Sequence, residues 1–185
     1  MPTPTSPDLL LTLSLRMLLI LVLLLACAFD LRQRRIPNRL LGAALLGALI
    51  LHLWSGSPWV LLTTFAAGFA LGLLMFLPLY LLGGMAAGDV KLMATVGAFL
   101  GPALVLQASL ATYMCGGVLA LLIILFKRRA GAAFANAGTL LRPLWMRFYG
   151  MRLASEGGPV PSVGGMPYAL AITLGTLAVL WLRHS

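Results

Sequence analysis

The chain has 185 residues, of which 61% are hydrophobic and only 9% charged, with a formal net charge of +9. Apolar runs of about 20 residues recur along it, which marks one polytopic membrane domain over residues 1–185 and excludes a soluble core. The positive charge sits in the loops between these runs rather than on a stripe interleaved with solvent-facing aromatics, so it reports topology and excludes nucleic acid as a partner.

The pattern predicts an all-α bundle of six transmembrane helices at about 9–29, 37–54, 58–82, 88–100, 103–126 and 166–183. The first carries Arg16 some two turns from one end, close enough to snorkel to the interface, and leads into Asp30. Arg16, the run 17–26 and Leu24-Leu25-Ala26-Cys27 also imitate a cleavable signal ending at a lipid-modified cysteine. Cleavage there would remove the helix that approaches Asp30 and spoil the charge alternation of the later loops, and the plain reading of Cys27 is a small core residue. The third helix holds Gly68-xxx-Gly72 and the fourth Gly97-xxx-Gly101, small-residue patterns that permit close backbone approach.

Before the fourth helix, Gly83-Gly84-Met85-Ala86-Ala87-Gly88 reads as irregular backbone, which a membrane tolerates only where protein or a water-filled cavity surrounds it. Gly101-Pro102 cuts that helix from the fifth and leaves 13 residues. At about 20 Å it is shorter than a hydrocarbon core of about 30 Å, so Asp89 at its start is recessed. The loop 127–165 follows, and its middle, Ala132 to Leu153, mixes aromatic and aliphatic residues with Arg142, Arg147 and Arg152. That mixture predicts a helix lying on the inner leaflet, broken near Pro143, with a flexible return from Gly157 to Gly165. Cys27 and Cys115 stand in separate apolar runs, and there is no CxxC and no cluster of histidines. No cofactor, metal site or disulfide framework is expected.

Basic residues fix the orientation. Loops 30–39, 83–91 and 127–165 hold 11 Lys and Arg residues, while the other side claims Arg16 and Arg183. Those loops are expected on the cytoplasmic side, with both termini outside and Trp54, Trp59 and Trp181 forming an outer aromatic belt. His52 and His184 then fall at the outer interface. The cytoplasmic cations suit anionic membrane lipids as partners.

The chain has four acids, and only Asp30 and Asp89 lie at the ends of membrane-length segments, both on the cytoplasmic side. An ionisable group at membrane depth is costly and marks a functional site by default. Two carboxylates a few ångströms apart share a proton, so that one takes a proton from water while the other protonates a peptide carbonyl, and a tetrahedral diol collapses. The plain alternative pairs Asp30 with Arg32, Arg34 or Arg35. Lys91 suits Asp89 poorly, because residues two apart point to different sides of a helix, and snorkelling to a lipid phosphate suits it better. Two other classes stay open at this point: a small proton- or ion-conducting subunit using the same aspartates as relays, and a scaffold in which they only lock helices.

Three stretches carry a resemblance: Phe29-Asp30-Leu31-Arg32-Gln33-Arg34-Arg35-Ile36-Pro37-Asn38, Gly84-Met85-Ala86-Ala87-Gly88-Asp89-Val90-Lys91-Leu92 and Met166-Pro167-Tyr168-Ala169-Leu170-Ala171. In order and membrane depth they resemble the signatures of type IV prepilin peptidases, membrane aspartic proteases of the bacterial inner membrane, and most closely the short form serving tight-adherence (Flp) pili. The resemblance implies Asp30 and Asp89 as the catalytic pair, acting on the basic leader of a prepilin at the cytoplasmic face and cutting after glycine. It further implies that Ile36, Pro37 and Asn38 shape the entry, Gly88 and Lys91 flank the second aspartate on the substrate side, and Pro167 and Tyr168 wall the site. Without that resemblance Pro37 is a plain helix start. The family pattern before the second aspartate is Gly-Xxx-Gly-Asp, whereas this chain has Ala86-Ala87-Gly88-Asp89, and alanine lacks glycine's access to positive φ. Nothing matches the CxxC-bearing region that longer members link to N-methylation, so leader cleavage without methyl transfer is expected.

Overall fold

A computed structural model describes residues 6–54, 58–82, 84–126 and 168–183, and the residues it describes form an all-helical bundle. Helix α1 is Ser6–Gln33, α2 is Asn38–Trp54 and α3 is Pro58–Leu81, whose residues 61–66 are wound as a π-helix. The run Ala87–Phe126 is broken at Gly101, with φ 77 and ψ 175, into α4 (87–100) and α5 (102–126). Helix α6 is Tyr168–Leu182. The expected interfacial helix, the Gly157–Gly165 return, Pro167 and His184 lie outside the described residues.

The break at Gly101 is a reversal and not a bend. A Cβ built on Gly97 would stand 3.2 Å from Val105 Cγ2, whereas eight residues of straight helix separate such groups by about 12 Å. The expected cut between the fourth and fifth helices is therefore present. By length and composition three stretches are able to cross a membrane, namely Leu9–Gln33, Pro58–Leu81 and Ala87–Leu122, and the last of these contains the reversal. Helices α2 and α6 are apolar but shorter, at 17 and 15 residues.

Apart from Thr95, whose hydroxyl bonds back to the Lys91 carbonyl, helix α4 is apolar on every side from Leu92 to Phe99, and all eight of those residues are buried. A helix without a polar face belongs at the centre of a bundle, and α3, α6, α2 and α1 all pack against the α4–α5 unit. The tightest seam is the α3–α4 crossing, where the expected small-residue approach is present. A Cβ on Gly68 would overlap the Gly97 carbonyl, and one on Gly72 would come within 2.5 Å of the Met93 carbonyl oxygen. Leu19, Val22, Leu23 and Ala26 of α1 are buried in the same core, so α1 is built into the fold and a cut before Cys27 would strip these residues from it.

Two prolines interrupt helical ladders, and at each a side chain from a neighbouring helix binds a carbonyl close by. Pro78 takes the donor from the Leu74 carbonyl of α3, and the Tyr113 hydroxyl donates to the adjacent Met75 carbonyl, its ring stacked on Phe76 at 4.9 Å. Pro102 deprives the Ala98 carbonyl of its usual donor, and His52 Nε2 stands 3.0 Å from that oxygen, which fixes Nε2 as the protonated nitrogen. The expectation of an interfacial His52 is therefore corrected: the residue is 3% exposed, inside the bundle. Replacing it by leucine leaves the carbonyl unanswered, at a cost of about 1–3 kcal/mol, while glutamine places a donor at the same distance along the side chain. The thermal midpoint of detergent-solubilised protein is expected to fall for His52→Leu and to recover largely for His52→Gln.

Contacts along the helices sort their ends into two groups. Asp30 with Ala169, Ile36 with Gly88 and Asn38 with Lys91 gather at one end, while His52 with Ala98, Thr64 with Gly101 and Gln107 with Arg183 gather at the other. Trp54, Trp59 and Trp181, all exposed, belong to the second end.

Candidate active site

Asp30 does not end the first helix, as its sequence position suggested, but lies one turn inside it. Helix α1 continues to Gln33, and Arg34 then enters the left-handed region at φ 52, its N–H donating to the Asp30 carbonyl at 2.9 Å. This is a left-handed helix cap with arginine where glycine is usual, a conformation that costs an L-residue about 1–2 kcal/mol. It turns the chain sharply, so that Ile36 packs back over Gly88 and the Pro37 carbonyl receives the first N–H groups of α2, from Leu40 and Leu41. Pro37 thus stands just before α2 and not in its first turn.

The Asp30 carboxylate lies at the carbonyl-rich end of its own helix, an unfavourable place for an anion. A neighbouring helix compensates: Asp30 Oδ2 accepts the Ala169 N–H at 3.3 Å, in the first turn of α6 where amide donors are free. Among the described residues it forms no ion pair with Arg32, Arg34 or Arg35, and Arg34 acts on it only at electrostatic range. That removes the plain structural pairing as an account of Asp30.

Asp89 is the third residue of α4 and only 5% exposed. Met85, buried, anchors the segment before it, and the Asp89 N–H closes a turn on the Ala86 carbonyl at 3.1 Å. Among the described residues positive φ occurs only at Arg34 and Gly101. Ala86 therefore occupies ordinary backbone, and its departure from the glycine pattern imposes no strain here. A Cβ at Gly88 would meet Ile36 at 3.5 Å, an ordinary van der Waals contact, so this glycine keeps the surface beside Asp89 low without being forced by its own conformation.

The two carboxylates, 59 positions apart in sequence, lie within electrostatic reach of each other at one end of the bundle, and the Tyr168 phenol lies within reach of Asp89. Three helices build the arrangement: α1 presents Asp30, α4 presents Asp89, and α6 contributes Tyr168 and the Ala169 amide. Lys91 is exposed, and its Nζ donates to Asn38 Oδ1 at 3.2 Å, tying α4 to the start of α2. Asn38 is accordingly a strut between α2 and α4. Pro167 lies outside the described residues. Among those described, no three of His, Cys, Asp or Glu gather at metal-binding spacing.

Two neighbours of the aspartates carry little sequence signal. The Ala169 donor is a backbone amide, which no side-chain pattern announces. Cys27, within electrostatic reach of Asp30, was legible in principle, since i and i+3 share a helix face. A family model described as the type IV leader peptidase family matches residues 17–121, a stretch that contains both aspartates and helices α2 to α4. No curated protein and no solved structure matches the chain.

Proposed function

The chain belongs to the type IV leader peptidase family and is on that ground a peptidase, and from this premise we propose that it is an aspartic endopeptidase removing the short basic leader of prepilins of the Flp type. What supports the reading is the placement of Asp30 and Asp89, from two helices remote in sequence, at one end of an apolar bundle and within electrostatic reach of each other. One proton shared between them leaves a base and an acid. The base takes a proton from water, the acid gives one to the scissile carbonyl, and the diol that forms collapses with a proton passed to the leaving amine. The Ala169 N–H orients one carboxylate. Tyr168, beside the other, is placed to wall the substrate or to donate to it.

In this reading all six helices cross the bacterial inner membrane, both termini lie outside, and the aspartates face the cytoplasm. Supporting that orientation, Arg32, Arg34, Arg35, Arg39 and Lys91 stand at the aspartate end. These cations would repel a basic leader, so their role is to hold anionic lipid while the carboxylates provide the local attraction. Ile36, packed over Gly88, forms with Pro37 and Asn38 the rim that the leader crosses, and its apolar mature helix stays in the bilayer.

Co-expression with a prepilin tests it. The expected product is mature pilin with a new N-terminus directly after the leader glycine. Unprocessed prepilin beside folded, membrane-inserted protein would contradict it. The conducting-subunit reading needs acids strung through the bilayer, whereas both aspartates lie at one end.

A further inference from the structure

At the end opposite the aspartates, α1 and α6 separate into an open apolar groove of about 420 Å³, lined by Leu13, Arg16, Met17 and Ile20 of α1 and by Leu177 and Trp181 of α6. Nearer the aspartates the same two helices are closed together, with Thr173 Oγ1 3.4 Å from the Leu23 carbonyl oxygen. The volume falls within the range of about 300–1,000 Å³ that holds small ligands. The groove's rim is greasy and outward-facing, Met17 being 66% and Trp181 70% exposed, within a stretch apolar enough to be surrounded by lipid.

One lining residue is charged. Arg16 lies 14 positions before Asp30, about 21 Å along α1, and Trp181 lies 12 positions after Ala169, about 18 Å along α6. The guanidinium and the indole thus share one level, and exposed tryptophan marks headgroup depth. Arg183, two residues beyond Trp181, donates to Gln107 Oε1 at 3.5 Å and brings a second cation to the same end. An apolar slot with cations at headgroup level has the chemistry of an acyl chain joined to a phosphodiester.

We propose that the α1–α6 groove seats an acyl chain of an anionic phospholipid whose phosphate meets Arg16 and Arg183. The site lies at the other face of the bundle from the aspartates, and its test uses no substrate. Full-length protein in neutral detergent is titrated with phosphatidylglycerol or with phosphatidylcholine of identical chains, and the thermal midpoint is followed. A ligand bound only by the folded state raises the midpoint. Phosphatidylglycerol is expected to raise it by several degrees more than phosphatidylcholine. That increment is expected to fall in Arg16→Gln and in Ile20→Trp, which fills the slot, and to fall by the same amount in an Arg39→Gln background, whose own lipid contact lies at the aspartate end. Native mass spectrometry adds a readout independent of folding strength: one anionic lipid fewer retained on Arg16→Gln than on the natural chain. An increment unchanged by both groove substitutions, or equal stabilisation by the two lipids, overturns the proposal. A photo-crosslinker at position 17 that captures a prepilin helix and no phospholipid overturns it as well.

Discussion

Asp89→Asn is expected to abolish prepilin cleavage, by about 10⁴-fold or more, while leaving a folded protein. The amide is nearly isosteric with the carboxyl, so a residue that is 5% exposed is replaced without a cavity or an overlap. What it loses is the capacity to exchange a proton with its partner, and acid–base groups of this kind are worth about 10²–10⁴-fold each. Asp30→Asn is expected to cost as much, although its amide still offers an oxygen to the Ala169 N–H and so keeps the contact between α1 and α6. Because the proposed mechanism shares one proton between the two groups, the double variant is expected to be no worse than either single one. A scaffold role predicts the opposite, with stability lost and cleavage kept. Quantifying mature pilin against the amount of folded peptidase in the same membranes separates the two.

Gly97→Leu is expected to have the largest effect on stability. Its Cβ would fall on the Gly68 carbonyl, and backbone, unlike the tip of a side chain, has no rotamer to escape into. Overpacking a formed core costs about 1–3 kcal/mol even where side chains are able to shift, and here α3 must move off α4. Because α4 carries Asp89 at its far end, cleavage is expected to fall with the fold. Gly68→Leu makes the same clash from the other side. Gly42, with open space around it, is the control, and Gly42→Ala is expected to be neutral or slightly stabilising. Recovery of monodisperse protein after extraction measures all three.

Much of this architecture is written locally. The apolar runs, the Gly101-Pro102 cut and the paired small residues at 68, 72 and 97 each have a physical signature in a few adjacent letters, and the structure realises each of them. Asp30 and Asp89 are legible because a carboxyl in such surroundings is expensive. What was hidden depends on partners distant in sequence. His52 reads as an interfacial histidine until Pro102, 50 positions later, is seen to leave a carbonyl for it. Lys91 gives no sign in its own neighbourhood of the bond it makes to Asn38, 53 positions earlier. The extension of α1 through Asp30 depends on Arg34 accepting a left-handed conformation, against the preference of its residue type. The Ala86 discrepancy dissolves for the complementary reason, since the backbone there makes no demand for glycine.

The central claim is that Asp30 and Asp89 together hold a tetrahedral diol. A non-cleavable prepilin peptide whose scissile bond is replaced by a hydroxyethylene or diol group measures this without requiring turnover. Such a mimic is expected to bind the natural chain about 10²-fold or more tighter than the matching uncut peptide, and to lose that advantage in both Asp30→Asn and Asp89→Asn. Equal affinity for the mimic in the natural chain and in either variant would contradict the account.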